Sequence, residues 1–242
     1  MPNDATASYE EDPNHIIIWL DSTIGDPEKC IHLKHAFSST AHPKNETPVM
    51  LNDRDYDEIL LNAGPTRVNF EGVWFLLAAF TDIQQCIACV EQNQHKRIFL
   101  ITSGSLGKNA VPAIMTRFER IFIDPVTDEP YDSIYVFCLH IEYQMDWAYD
   151  YRKYIQIFTH EADLLNRMIR DIGNYFVMIS KRLLAENPPN NSGAYHRLSW
   201  AHKLYQRYAT LENVSMRTEL AEVNQLLEQA EEGLKTSSDE DE

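Results

Sequence analysis

The polar segment at residues 103–108 combines residue types that bind phosphate groups. It reads Ser-Gly-Ser-Leu-Gly-Lys and follows the apolar run at 98–101. Backbone N–H groups of a glycine-bearing turn that opens a helix can cradle an anion, and Lys108 would add positive charge. The segment departs from the P-loop, because it is two residues too short and no Ser or Thr follows the lysine. Anion binding and a β-to-α turn that needs glycine for its backbone geometry both remain open.

Ser105 would be a nucleophile only within a complete catalytic set. A nucleophile elbow requires Gly-x-Ser-x-Gly, and Ser103 stands where the first glycine belongs. His140 and His160 follow later strands and could act as bases, but no Asp holds an evident third position. Receiver-type phosphotransfer would need an acceptor Asp at the end of the third strand, where Thr102 and Ser103 stand. The sequence therefore predicts no catalytic residue.

The four cysteines indicate packing rather than redox or metal chemistry. Residues 86–89 form a CxxC motif, which in redox folds opens a helix, where the helix dipole lowers the thiol pKa. Here Asp82 begins the helix, so Cys86 falls in its second turn among apolar neighbours. A zinc site would need a second pair, and Cys138 and His140 lie on another strand. We expect no metal and no cofactor.

Five short apolar segments, separated by helical patterns, predict an α/β fold with a five-stranded parallel sheet and helices on both faces. Alternating strands and helices pair in parallel through right-handed crossovers, most often in the order 2-1-3-4-5. The switch point then lies between strands 1 and 3, and the loops after these strands wall a crevice. The predicted strands are 15–21, 73–80, 97–102, 133–138 and 155–158. The candidate ligand-binding residues are Asp21, Ser22, Ser103, Gly104, Ser105, Gly107 and Lys108.

Helix boundaries follow from capping residues and prolines. Asp26 is the expected N-cap of the first helix, with Pro27 at the first helical position. A second helix is expected over 109–121, where Pro112 is tolerated in the first turn. A long amphipathic helix is expected from about 161 to 186.

The chain divides into an α/β domain and a C-terminal helical hairpin. The domain spans 15–186, and its proline-rich, charged segment 41–68 is expected to be an insertion with a short helix near 55–62. The Pro- and Asn-rich segment 187–193 predicts a linker. Two amphipathic helices over 194–234 predict a hairpin whose apolar stripe must pack on the domain or on a partner.

Both ends of the chain are acidic and poor in apolar residues. Residues 1–14 and 235–242 therefore predict disordered tails. In the second tail, Ser237 and Ser238 precede a run of acidic residues, the pattern that acidophilic kinases prefer, and phosphorylation would add further negative charge.

Charge limits the class of partner. The chain has 37 acidic and 21 basic residues and a formal net charge of −16, which disfavours nucleic acid and anionic membranes. No apolar stretch approaches the roughly 20 residues of a membrane span. The acidic N-terminus lacks the apolar core of a signal peptide, so we expect reduced thiols and a cytoplasmic location. The expected partner is another protein or a second copy of the chain.

Several segments resemble a known module. The chain is similar to the N-terminal α/β module of certain invertebrate multidomain proteins, in which it precedes ADP-ribosyltransferase or tetratricopeptide regions. The resemblance covers roughly 15–180 and implies a receiver- or TIR-like, flavodoxin-like fold without assigning an activity. The transferase and the repeats do not occur in this sequence. The matching segments are 17–21, 99–107 with Val111 and Pro112, 132–138, Trp147 with Ala148, and 157–159.

Two hypotheses follow. A complete fold with an incomplete catalytic set and an amphipathic hairpin favours a non-enzymatic intracellular signalling or scaffold module that acts through protein–protein contacts. The alternative is a nucleotide- or NAD-responsive, TIR-like domain that binds in the crevice between strands 1 and 3. A TIR-like NAD hydrolase would also need a catalytic carboxylate facing that crevice, and the sequence places none there convincingly.

Overall fold

The computed structural model describes residues 14–39, 49–62 and 64–239. Residues 1–13 of the predicted tail 1–14, residues 40–48 and 63, which fall in or beside the predicted insertion 41–68, and residues 240–242 lie outside this description. The strands are β1 (His15–Leu20), β2 (Phe37–Ser39), β3 (Val49–Met50), β4 (Thr66–Phe70), β5 (Val73–Phe80), β6 (Arg97–Ser103), β7 (Ile134–Phe137) and β8 (Ile155–Phe158). The helices are α1 (Ile31–His35), α2 (Asp53–Leu61), α3 (Ile83–Gln92), α4 (Gly104–Phe118), α5 (Met145–Asp150), α6 (Glu161–Leu184), α7 (Asn191–Glu212) and α8 (Arg217–Asp239).

The sheet is larger than the sequence predicts. Its eight strands run in the order β3-β2-β4-β5-β1-β6-β7-β8, so a five-stranded, all-parallel sheet is wrong. The five expected strands do lie side by side and parallel, as β5-β1-β6-β7-β8. Beyond β5, the strands β4, β2 and β3 continue the sheet with antiparallel pairing. The fold is therefore α/β with a mostly parallel, mixed sheet.

A tight hairpin adds the extra strands. Glu71 and Gly72 join β4 to β5, and both have positive φ, at 49° and 85°. Positive φ at both central residues is the mark of a type I′ turn, whose twist matches that of a hairpin. The segment 41–68 thus contributes β3 and most of β4 to the same sheet, and α2 packs against one face of that sheet, so the segment is part of the domain core and not a separate insertion.

Both faces of the sheet are covered. On β1, Ile17 and Trp19 point to the face that packs against α1, α2, α6 and α7, while Ile16 and Ile18 point to the face under α3, α4 and α5. All six residues of β1 are buried. Because side chains on both faces of β1 are buried, its sequence does not alternate between apolar and polar residues and is instead almost continuously apolar.

The C-terminal hairpin packs on α6 of the same chain. Leu198, Ala201 and Leu204 of α7 are fully buried and belong to the core that contains Trp19. The apolar stripe expected from the sequence is thus covered within the chain. The helix α8 continues to Asp239, so residues 235–239, expected in the disordered tail, lie on its last turns.

Two helix starts differ from expectation. Helix α1 begins at Ile31, not near Asp26, whose side chain instead accepts the backbone N–H of Glu28 in a turn. Helix α4 begins at Gly104, so Pro112 lies in its interior and not in its first turn. Because proline has no N–H, the carbonyl of Lys108 lacks the usual helical partner four residues on. Within the described ranges, no helix is long and apolar enough to cross a bilayer.

Candidate functional site

Asp21 follows β1 directly and forms the first wall of the expected crevice. It is buried, and its Oδ1 accepts the backbone N–H and the hydroxyl of Thr23, both at 2.8 Å. The Cys30 thiol lies 3.6 Å from the Thr23 hydroxyl and 4.0 Å from Asp21 Oδ2. Ser22, the other expected residue of this loop, is exposed. The loop is therefore ordered by a buried carboxylate whose second oxygen faces a thiol.

Glu161, the first residue of α6, completes this edge of the sheet. Its Oε2 accepts the backbone N–H groups of His32 at 2.9 Å and of Leu33 at 3.1 Å. These N–H groups are among those that a helix start leaves unpaired, so Glu161 acts as a side-chain cap for α1. The contact spans 128 residues of sequence. It fixes the loop after β1 against the loop after β8.

A cavity of about 320 Å³ opens at this carboxyl edge. It is lined by Asp21, Thr23, Glu28, Lys29, Cys30, Ile31, His32, Phe137, Leu139 and Glu161. We call it the Asp21 cavity. Three carboxylates and one lysine ammonium line it, and among the described residues these three carboxylates form no ion pair within 4.0 Å. The arrangement favours a cationic ligand over an anionic one.

The second expected wall, residues 103–108, is closed by packing. A Cβ on Gly104 would lie 2.8 Å from Cys138 Cβ and 2.9 Å from Gln144 Cδ, and one on Gly107 would lie 2.9 Å from Thr102 Cγ2. Neither glycine has positive φ. Close approach to neighbouring side chains, and not a positive φ, requires glycine at both positions.

The other expected residues of this segment stand at the surface. Ser103 and Ser105 place their hydroxyl oxygens 3.3 Å apart, and the Lys108 side chain is exposed. None of the residues 103–108 lines the Asp21 cavity. The structure thus does not bring the two predicted walls together around this cavity.

The groups at this edge are poorly suited to covalent catalysis. Burial, together with the nearby Asp21 carboxylate, raises the pKa of the Cys30 thiol to about 12, so the thiol stays protonated at neutral pH and is a weak nucleophile. His140 contacts Glu142 across 3.1 Å at the surface, and His160 is exposed at the N-cap of α6. In the described part of the chain, no group of three or more His, Cys, Asp or Glu side chains could hold a metal ion.

An exposed apolar rim adjoins the cavity. Leu139 lines the cavity and is 72% exposed, and Ile31, on its other side, is 45% exposed. Tyr143, Met145 and Tyr149 lie in the segment that follows Leu139 along the chain, and all three are more than half exposed. Single exposed apolar residues are ordinary, but several within one short segment favour an interaction surface. We call residues 31, 139, 143, 145 and 149 the apolar rim.

Of the residues that line the Asp21 cavity, the sequence analysis names Asp21 but not Cys30, Leu139 or Glu161. Leu139 and Glu161 lie two and three residues beyond the ends of β7 and β8, where the rule that ligands bind beyond the carboxyl ends of parallel strands applies. Cys30 has no such pattern, because its left-handed backbone, with φ of 54°, turns it back toward Asp21. The two predicted phosphorylation sites, Ser237 and Ser238, lie on the last turns of α8.

Comparison with known proteins finds no relative of this chain. No protein-family model, no curated protein and no solved structure matches it.

Proposed function

We propose that the chain is a non-enzymatic signalling or scaffold module that acts through protein–protein contacts, and that the Asp21 cavity binds a basic side chain of a partner protein. One observation supports this proposal: three carboxylates without ion pairs line the cavity, and the exposed residues of the apolar rim lie at the same edge of the sheet. An Arg or Lys of the partner protein would pair with the carboxylates, and apolar residues beside it in the partner would pack on the apolar rim.

Electrostatics supports a cation at this position. At an effective dielectric constant of about 20, a cation roughly 4 Å from a single carboxylate is favoured by about 4 kcal/mol before desolvation. Asp21, Glu28 and Glu161 act together, and Lys29 opposes them only in part. Arginine suits the site especially, because its planar guanidinium donates to two carboxylates at once and is less strongly hydrated than an ammonium.

The nucleotide alternative has less support. A phosphate would meet the same three carboxylates in the Asp21 cavity, and the first turn of α4 is packed against Gln144 and Cys138. The receiver-like, flavodoxin-like relationship stays a proposal. It is supported by the parallel order β5-β1-β6-β7-β8, which is the order common to flavodoxin-like sheets.

A peptide library tests the proposal. Hexapeptides with a fixed central Arg, Lys, Ala or Glu and randomised flanks would be bound to the full chain and read by fluorescence. We expect central Arg to exceed Lys, Lys to exceed Ala, and Glu to be rejected, with apolar flanks enriched. Leu139→Asp and Glu28→Lys should each weaken the selected peptide about tenfold or more, because both residues are exposed on this surface.

Two variants on other surfaces provide matched controls. Val126→Asp changes an equally exposed apolar residue, and Glu91→Lys reverses an exposed charge on α3. Peptide binding unaffected by Leu139→Asp and Glu28→Lys would contradict the proposal. So would thermal stabilisation by ATP, NAD or ADP-ribose that Lys108→Glu abolishes, which would favour the nucleotide alternative. Lys108 is preferable to Gly104 for that test, because any side chain at Gly104 collides with Cys138.

A further inference from the structure

A second cavity, also of about 320 Å³, lies at the amino edge of the sheet, where β6 begins. Its walls combine two arginines, four carboxylates and an apolar group. The lining residues are Arg97, Phe99, Asp124, Thr127, Glu129, Pro130, Tyr131, Asp132, Asp171, Asn174, Tyr175, Met178 and Arg182. We call it the Arg97 cavity. Its volume is at the lower end of the roughly 300–1,000 Å³ typical of small-molecule sites.

Arg97 is the exceptional residue of this cavity. Its side chain is nine-tenths buried, yet among the described residues it forms no ion pair. Its Nη1 donates to the carbonyl of Ile121 at 3.3 Å, and its buried Nε has no hydrogen-bond partner in the described chain. A buried cation is costly unless its donors are paired. Arg97 therefore lacks the partner that its position requires.

Aromatic rings hold the guanidinium in a fixed plane. Its central carbon lies 3.5 Å from the Tyr131 ring centroid, 5.2 Å from that of Tyr175 and 5.4 Å from that of Phe99. Stacking on a ring face stabilises a cation without occupying the donors at the edge of the guanidinium. Nη2 has no hydrogen-bond partner in the described chain and, unlike the buried Nε, is not sealed from solvent. That edge matches a carboxylate, which accepts two parallel N–H···O bonds.

All but one of the other charges of the cavity are already paired. Asp124 binds Arg182, while Asp132 and Asp171 both bind Arg167. Glu129 forms no ion pair within the described chain, so with four carboxylates on its walls the cavity repels a ligand with several negative charges. A ligand with one negative charge, directed at Arg97, meets less of this repulsion.

From this arrangement we propose that the Arg97 cavity binds a small monocarboxylic acid with a flat apolar body, whose carboxylate pairs with Arg97 and whose body packs against Tyr131, Tyr175 and Met178. The site is at the opposite edge of the sheet from the Asp21 cavity. It is therefore independent of the proposed protein contact.

Benzoate is the probe, and benzamide, which has the same shape without the charge, is its control. In the full chain labelled with ¹⁵N-arginine, benzoate should shift the Nε–H resonance of Arg97 saturably, with Kd near or below about 1 mM. Benzamide and inorganic phosphate should each bind at least about tenfold more weakly. Acetate, which lacks the apolar body, should also be about tenfold weaker than benzoate.

Variants locate the site. Arg97→Lys keeps the charge but loses the planar edge, and it should weaken benzoate about tenfold or more in calorimetry. Arg117→Lys, at an exposed arginine of α4, should leave benzoate affinity unchanged. If Arg97→Lys does not fold, Tyr131→Leu serves in its place, because it removes the stacking ring and should weaken benzoate binding by a similar factor. The comparison of benzoate with benzamide in the unaltered chain tests the proposal without any variant. Equal binding of benzoate and benzamide, or no saturable shift up to about 10 mM benzoate, would overturn the proposal.

Discussion

Gly173 of α6 offers a test of how the C-terminal hairpin packs. A Cβ at this position would lie 2.7 Å from Cε1 and 3.0 Å from Cδ1 of Tyr205 on α7. Carbon atoms in contact normally lie about 3.5–4.0 Å apart, so alanine would overlap the ring by roughly 1 Å. Tyr205 is only 4% exposed, and its hydroxyl donates to Asn174 Oδ1 at 2.7 Å, so the ring has little freedom to move.

The two consequences of Gly173→Ala oppose each other. Alanine gains about 0.5–1 kcal/mol over glycine in a helix interior. Overpacking against Tyr205 costs about 1–3 kcal/mol. We therefore expect the free energy of unfolding to fall by about 0–2 kcal/mol. In a Tyr205→Ala background the overlap is gone, and the same substitution should instead stabilise the chain by about 0.5–1 kcal/mol.

Urea unfolding followed by far-UV circular dichroism measures all four members of this double-mutant cycle. The coupling energy between the two positions should be about 1–3 kcal/mol. Gly64→Ala is the control, since no atom of the described residues would lie within 4 Å of a Cβ there, and it should change stability by no more than about 0.5 kcal/mol. If Gly173→Ala stabilised the unaltered chain, or if the coupling were zero, α7 would not pack on α6 through this contact.

Two further predictions concern buried titratable groups. Burial lowers the pKa of His15 from 6.5 to about 4. Between pH 6.5 and pH 4 the unfolded chain therefore takes up a proton that the folded chain does not. As the pH falls through this range, the free energy of unfolding falls by about 1.4 kcal/mol per pH unit. His15→Gln should remove that part of the slope in urea unfolding compared near pH 7 and pH 5, and an unchanged slope would contradict the assignment. Burial raises the pKa of Cys89 to about 11 and that of Cys86 further, so iodoacetamide near pH 8 should alkylate neither thiol in the folded chain but both in urea. Rapid alkylation of either thiol in the folded chain would show that the CxxC motif is reactive.

The strands that could be predicted are those covered on both faces. Every residue of β1 is buried, so burial imposes an apolar run that the sequence displays directly. The strands β2, β3 and β4 have no comparable pattern. Both residues of β3 are exposed, and β4 alternates buried Val68 and Phe70 with polar neighbours near prolines and charges. Their pairing depends on the hairpin at Glu71, where no sequence preference indicates a positive φ.

The site was less predictable than the sheet, for a physical reason. Asp21 follows a recognisable strand, so its position at the carboxyl edge could be inferred. The hydrogen bonds that the start of α1 donates to Glu161 depend on how α6 is positioned after the four connections between the parallel strands, which no local pattern encodes. Gly104 and Gly107 show the converse problem. Their spacing suits a phosphate turn, but the cause of their small size is the approach of Cys138 and Thr102.

The neighbouring strands β1 and β6 carry, at opposite ends, the two charges on which the proposals depend. Asp21 follows the end of β1, and Arg97 begins β6. Six strand residues separate the two edges by about 20 Å, which is more than twice the Debye length of about 8 Å at physiological ionic strength. The core of the sheet between them is apolar, but Asp21 and Arg97 each line a cavity that is open to solvent. Solvent ions therefore screen their mutual attraction, which is too weak to offset the cost of removing either charge from water. The two proposals therefore pair each charge at its own edge, with a cation beside Asp21 and an anion beside Arg97.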